Sequence, residues 1–418
     1  MKRPKVFYGY WIMAALFFCL FILGGCGIYS FSLFVRPLQD QFGWGRGEIM
    51  MAYTLFFLIM GGTAPLIGKL VIRYEVRKVI AIGASLAGLG FFSLTLIQNL
   101  GHFYASYIVI AIGFSASGMV PVTTVISNWF NKRRGTAIGI VTSGIPMGGV
   151  PLTRIIGGYS IPNLGWETSF LILAFITLAI VPIVLIVIKT RPAEIGLYPD
   201  GVSEPESVYE SNTSLASEGI SLKKALTTST FWLIVASFVI FGFVSEGIFQ
   251  NQVPHLQDIG FPAATAAATL SVWGLGSLSS HVFFGWLCDK IQAKYVLCMA
   301  FGLRVVAIII LTNVVSTSPL HILWIYAVLM GASMGAGTTT SSMLIINCFG
   351  LGSYSILFGS MRLATSIGFA TGAIFPGYMY DLMSNYHLAF TILLILAIAV
   401  IPLILSIHRP KLLSNTMG

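Results

Sequence analysis

Residues 8–35 read YGYWIMAALFFCLFILGGCGIYSFSLFV and carry no charged side chain. A stretch like this fixes the solvent before it fixes the fold. About 20 apolar residues take a helix across the hydrocarbon core of a bilayer. In lipid the backbone must also satisfy its own hydrogen bonds, which a helix does. The stretch is too long for a cleaved signal peptide and has no small-residue cleavage site, so it is expected to stay as a helix.

The same rule applied along the chain gives twelve spans, near 8–35, 46–69, 78–98, 103–129, 134–159, 167–189, 229–254, 263–287, 294–314, 320–347, 353–380 and 386–408. Several exceed the minimum and must tilt or project beyond the hydrocarbon. Only 9% of the residues are charged, against about 25% in a soluble domain, which excludes a soluble fold. Between spans six and seven lies DGVSEPESVYESNTSLASEG, which is polar, acidic and without apolar periodicity. It reads as a linker. The expected architecture is an all-α membrane protein of two six-helix bundles, 1–190 and 229–418, joined by a cytoplasmic linker at 191–228.

Basic residues orient the spans. With a cytoplasmic N-terminus, 18 of the 23 Lys and Arg fall on that side, only Arg36 and Arg46 fall opposite, and Arg154, Arg304 and Arg362 lie within spans. Both termini are therefore expected in the cytoplasm, and the net charge of +9 is explained without nucleic acid. Cys19, Cys26, Cys288, Cys298 and Cys348 have no CxxC spacing and read as packing residues. No nucleophile–base pair, metal-spacing cluster or phosphate loop appears, so neither an enzyme nor a cofactor is expected.

The halves repeat. GKLVIRYEVRK from Gly68 matches GWLCDKIQAK from Gly285, aligning Arg73 and Arg77 with Lys290 and Lys294. Gly139 and Gly148 share their spacing with Gly359 and Gly368, and GWETSF from Gly165 recurs loosely as NYHLAF from Asn385. Parallel six-helix repeats belong to one transporter architecture, with the substrate held between the halves.

The Gly-x-x-x-Asp-Arg/Lys pattern, complete as Gly285, Asp289 and Lys290, resembles the loop motif of the major facilitator superfamily. In the first half Ile72 replaces the acid. YGYWIMAA, YSFSLFVRPLQDQFGWGRGEI, NWFNKRRGTAIGI, RPAEIGLYPDG, LKKALTTSTFW and HLQDIGF together resemble the bacterial branch of the monocarboxylate transporter and oxalate–formate antiporter group. The resemblance implies that helices 1, 4, 7 and 10 line a central cavity, that 2, 5, 8 and 11 join the halves, and that 3, 6, 9 and 12 are peripheral.

Charges within spans are costly, at least about 2.5 kcal/mol each. Arg304 and Arg362 fall near mid-depth. Arg304 belongs to a helix expected to be peripheral, where it snorkels, pairs or functions; Arg362 has the better claim to a carboxylate, which a guanidinium matches bidentately. Arg154 and Glu246, nearer the outer ends, form a candidate structural or gating pair. His281 lies about 12 Å inside the loop motif at helical rise. The resemblance places a substrate-binding arginine of the group at this position, and a helix 1 lysine of animal members near Tyr29. Two readings of His281 stand: a structural hydrogen bond, or an imidazolium that holds a carboxylate and releases proton and anion together. Softer candidates are Ser115, Ser117, Asn128 and Thr338, Thr339 and Thr340.

The sequence is thus expected to encode a secondary carrier of a small organic anion, a monocarboxylate coupled to protons. It would act as a monomer in the lipid of a bacterial cytoplasmic membrane. Rivals are an oxalate–formate type exchanger, a drug efflux pump and a transporter-like sensor. An efflux pump would place Gly-Pro where Leu152 and Thr153 stand, and a sensor would need a larger cytoplasmic domain.

Overall fold

A computed structural model describes residues 7–130, 134–201, 222–288, 290–349 and 354–409. Those residues form twelve long helices in chain order. The first six are α1 (Gly9–Phe42), α2 (Arg46–Arg73), α3 (Val76–Leu94), α4 (Leu100–Trp129), α5 (134–164) and α6 (166–187). The second six are α7 (Ser229–Ile259), α8 (Ala263–Cys288), α9 (Ala293–Asn313), α10 (Leu320–Phe349), α11 (Tyr354–Met383) and α12 (His387–Leu405).

Each helix follows an expected span, and the departures have local causes. Helix α1 continues past residue 35 because its last turns, VRPLQDQF, are polar enough to leave the hydrocarbon. It ends where Gly43 turns left-handed, at φ 69°. Gly165 separates α5 from α6 with φ 85°, a value that L side chains rarely adopt. Two π-helical turns interrupt the first half, at Gly24–Tyr29 in α1 and Ile156–Ser160 in α5. Asn99 caps α4 by accepting from His102 N at 2.9 Å, and Thr228 caps α7 through Phe231 N at 3.3 Å.

The chain forms two compact units, one of residues 1–43 and 51–206 and the other of 44–50 and 207–418. Within the first, α1 packs on α5 with almost no spacing. A Cβ on Gly148 would overlap the Phe21 carbonyl, and one on Gly144 would lie 2.5 Å from the Phe17 oxygen. The second unit uses the same device between α7 and α11, where Gly368 meets the Val239 carbonyl and Gly372 that of Phe243. Small residues let helices approach this closely where lipid supplies no hydrophobic drive between them. Gly148 and Gly368 are the residues paired by the sequence repeat, so the repeat is a repeat of helix contacts.

Candidate functional site

Helix α8 carries His281. The ring takes its orientation from its own helix: Nδ1 lies 2.6 Å from the Ser277 carbonyl, which can only accept, so Nδ1 carries a hydrogen and Nε2 is left as the outer nitrogen. His281 is exposed. Among the described residues, Leu275, Phe283 and Trp286 are the exposed large apolar side chains of the same helix. At ~100° per residue, they lie roughly 120–160° around the helix from His281. The imidazole is therefore turned away from the face that suits lipid.

Helix α10 lies against α8 along Gly331 and Gly335. A Cβ on Gly335 would reach within 2.5 Å of the His281 backbone nitrogen, and one on Gly331 would overlap the Trp273 carbonyl. The run GASMGAG thus seats α10 directly against the turn that bears His281. Thr340 Oγ1 donates to the Ala336 carbonyl at 2.6 Å. The side chains of Thr338, Thr339 and Arg362 lie outside the described residues, although their helices are described.

Arg304, on α9, is fully buried. Of the three readings open to it, snorkelling does not fit: the guanidinium points inward, to α7 and α10. Nε and Nη2 donate to Ser333 Oγ at 3.2 and 3.1 Å, and Nη1 donates to the Phe241 carbonyl at 3.1 Å. Its Cζ stands 4.2 Å from the centre of the Phe241 ring. Among the described residues no carboxylate pairs with it.

Helix α7 holds a row of buried polar groups: Ser245, Glu246, Gln250, Asn251 and Gln252. Gln250 Nε2 donates to Glu246 at 3.3 Å, Asn251 Nδ2 donates to the Gly247 and Ala373 carbonyls at 3.0 Å, and Tyr326 donates to Gln252 Oε1 at 2.9 Å. Glu246 is 4% exposed. Arg154, its expected partner, belongs to the other unit and is exposed on α5.

In the first unit, Tyr29 is buried in the π-helical turn of α1 against Gly149, where a Cβ would overlap its ring. Ser117 is fully buried and donates to the Gly113 carbonyl at 2.7 Å, which commits its hydrogen within α4. Ser115 donates to Met60 O across to α2 at 3.2 Å. Asn128 does not cap α4. It donates to Thr190 O at 3.1 Å, and the Trp129 indole to Lys189 O at 2.8 Å, so the end of α4 holds the chain where it leaves α6, just ahead of the linker.

The loop motif divides between described and undescribed residues. Gly285 lies within α8, Asp289 is outside the described residues, and Lys290 is exposed. In the first half Arg73 is exposed beside Tyr74. Arg77 Nε donates to Glu75 at 2.7 Å and Lys78 donates to it at 3.3 Å. The acid absent at Ile72 thus has a local counterpart three residues later. These two bonds hold the Glu75 carboxyl below its ordinary pKa, Arg77 more than Lys78.

One cluster was not singled out from the sequence. Residues 44–50 group with the second unit, and there Arg46 forks onto Asp258 and donates to the Tyr386 hydroxyl at 3.0 Å. Its Cζ stacks 3.7 Å from the Tyr380 ring. Asp381 accepts from the backbone nitrogens of Arg46 and Gly47, both at 2.7 Å, capping α2. The available signal was Gly-Arg-Gly directly before a long apolar run, with unassigned acids at the ends of two other spans.

Two six-helix units repeating one another's helix contacts match a known family. A profile of the Major Facilitator Superfamily matches residues 13–292 and 243–416. The chain belongs to the major facilitator superfamily. It is a multi-pass membrane transporter and not an enzyme. The oxalate:formate antiporter of Oxalobacter formigenes is 20% identical over 367 residues, covering 87% of this chain and 84% of that protein. Monocarboxylate transporter 13 of Rattus norvegicus is 23% identical over 396 residues, covering 94% and 87%. Among solved structures, the nucleoside transporter NupG superposes with a TM-score of 0.79 at 9% identity, over 96% of this chain and all of that one. A bacterial homologue of the human lysosomal transporter Spinster gives 0.68 at 16% identity, over 97% and 95%. At such identities these structures speak to the fold alone.

Proposed function

We propose that this superfamily member is a secondary active carrier of a small monocarboxylate, moved together with a proton by alternating access. The observation that carries the reading is the setting of His281. Its Nδ1 is fixed by Ser277, and its ring sits on the side of α8 away from the exposed apolar face. With Nδ1 held as a donor, protonation at Nε2 turns the ring into a cation that can hold a carboxylate. Loss of that proton releases the anion's partner, so the two travel as a pair. Arg362, Tyr29 and Thr339 are assigned as its neighbours in the site. Gly285, Asp289, Lys290, Arg73, Arg77, Arg154 and Glu246 are assigned to gating. We place the protein in a bacterial cytoplasmic membrane as a monomer, with both termini cytoplasmic.

Exchange of two anions is the second reading. It is favoured by the likeness to an oxalate:formate antiporter. Uptake of labelled lactate, pyruvate, acetate, formate and oxalate into proteoliposomes, with and without an inward proton gradient, separates the two. Symport requires gradient-driven uptake that His281→Gln makes independent of pH. Uptake that ignores the gradient but needs an internal anion replaces symport with exchange. Transport of lipophilic cations, with no response to any acid, removes the anion reading altogether.

A further inference from the structure

We infer that Arg304 is a covered anion site of the second unit, and that the Met334 thioether occupies the place a cargo carboxylate takes. The inference rests on the monocarboxylate reading and adds a second group, besides His281, that holds the anion.

A guanidinium presents five N–H donors and stays charged. Ser333 Oγ takes Nε and one N–H of Nη2, and the Phe241 carbonyl takes one N–H of Nη1. The other Nη2 hydrogen has only the sulfur of Met334, at 3.8 Å. A thioether is a weak acceptor. The second Nη1 hydrogen has no acceptor among the described residues. A permanent cation is thus buried with no carboxylate beside it among those residues, and its two remaining donors have no strong partner.

The rest of the pocket holds the guanidinium plane fixed. Ser333 donates its own hydrogen to the Met330 carbonyl at 2.7 Å, which turns its oxygen lone pairs to the arginine. The Phe241 ring packs over Cζ, and Gly337 makes room for that ring: a Cβ there would lie 2.5 Å from its edge. Such preorganisation favours charge recognition over mere tolerance of a charge.

Met334 connects this buried cation to an approach. It is half-buried, whereas Arg304 is wholly buried. Of the exposed large apolar residues of α10, Ile325 and Val328 lie roughly 120–180° around the helix from Met334 at ~100° per residue, and Leu320, in the first turn, lies about 40° from it. The thioether is thus the more accessible end of the cluster. Methionine is unbranched and repacks readily. A carboxylate that displaces it gains the free donors of Nη1 and Nη2.

The test uses the full-length protein in proteoliposomes with the same labelled acids, reading half-saturation and maximal rate. Met334→Ala uncovers the donors and should lower half-saturation by about tenfold or more, on the scale of one hydrogen bond to a charged group. Met334→Leu keeps the bulk without the acceptor and should shift it in the same direction, less strongly. Arg304→Lys loses the fork and should raise half-saturation about tenfold, and Arg304→Gln should abolish saturation by any acid. Should Arg304→Gln fail to fold, the two Met334 variants decide alone. Carriage of acids by the wild type with half-saturation unchanged in both Met334 variants and in Arg304→Lys overturns the site while the transport reading stands. Absence of acid transport by the wild type removes both.

Discussion

Arg46 and Asp258 meet as a two-pronged ion pair, with Nη1 2.5 Å from Oδ2 and Nη2 2.8 Å from Oδ1. Parallel contacts of this kind fix orientation as well as energy. The arginine side chain is 3% exposed and the aspartate 25%, so loss of the acid strands a buried cation. Breaking a buried pair costs about 3–5 kcal/mol, and partial hydration of Asp258 places this one near the low end. Asp258→Asn should lower the melting temperature of the purified protein by several degrees, with Arg46→Lys intermediate. A melting curve that coincides with wild type would show that Tyr380 and Tyr386 hold Arg46 unaided.

Asp381 acts on the same turn through the backbone. Its two oxygens take the Arg46 and Gly47 nitrogens, donors that a helix start otherwise leaves unpaired. Replacing a capping side chain by Ala costs about 0.5–2 kcal/mol. Asp381→Ala should speed hydrogen exchange at the first turn of α2 and leave the first turn of α4, capped by Asn99, unchanged. Gly45→Ala should act similarly, because its Cβ would come 2.8 Å from Oδ2 of Asp381. Equal exchange rates in Asp381→Ala and wild type would mean the cap holds nothing in place.

The helices were legible because lipid imposes a length and a polarity on each span, and both are one-dimensional properties of a sequence. The repeat was legible through Gly148 and Gly368, since backbone contact admits one residue type. Partnerships were not. Arg46 is separated from Asp258 and Asp381 by more than two hundred residues, and nothing local in FGWGRGE says which acid will turn to the arginine. Arg304 shows the same limit from the other side: the family resemblance put its helix at the periphery, yet its face of α9 points to Ser333 and Phe241. Face depends on helix rotation, which a uniformly apolar helix does not encode. At His281 the residue type drew attention, and only the rotation of α8 placed it opposite Phe283 and Trp286.

Glycine contacts give a paired prediction. Gly368→Ala drives a methyl into the Val239 carbonyl, and neither backbone can yield without parting α7 from α11. Overpacking of this kind costs about 1–3 kcal/mol or more. At Gly302, on α9, an added methyl would meet nothing within 4 Å, so Gly302→Ala should stabilise by the helix propensity difference, about 1 kcal/mol. Melting temperatures measured side by side should move in opposite directions. Two shifts of the same sign would refute the steric account.

Glu75 supplies a pH-dependent prediction outside the spans. Its carboxyl is held below the ordinary value of 4.5, first by the Arg77 hydrogen bond and then by that of Lys78. A carboxyl lowered by folding contributes fully above its unfolded value, and that contribution disappears as pH falls through the lowered value. The group is fully exposed, so screening keeps the stabilisation small and salt-dependent. Carbon-13 labelling of glutamate carboxyls, with the resonance assigned by its loss in Glu75→Gln, should give a midpoint below 4.5. Arg77→Gln should raise that midpoint more than Lys78→Gln, because Arg77 makes the shorter bond, and added salt should raise it in the wild type. A wild-type midpoint at or above 4.5 would mean that the Glu75–Arg77 contact does not persist in solution and that the first-half loop carries no acid counterpart to the one missing at Ile72.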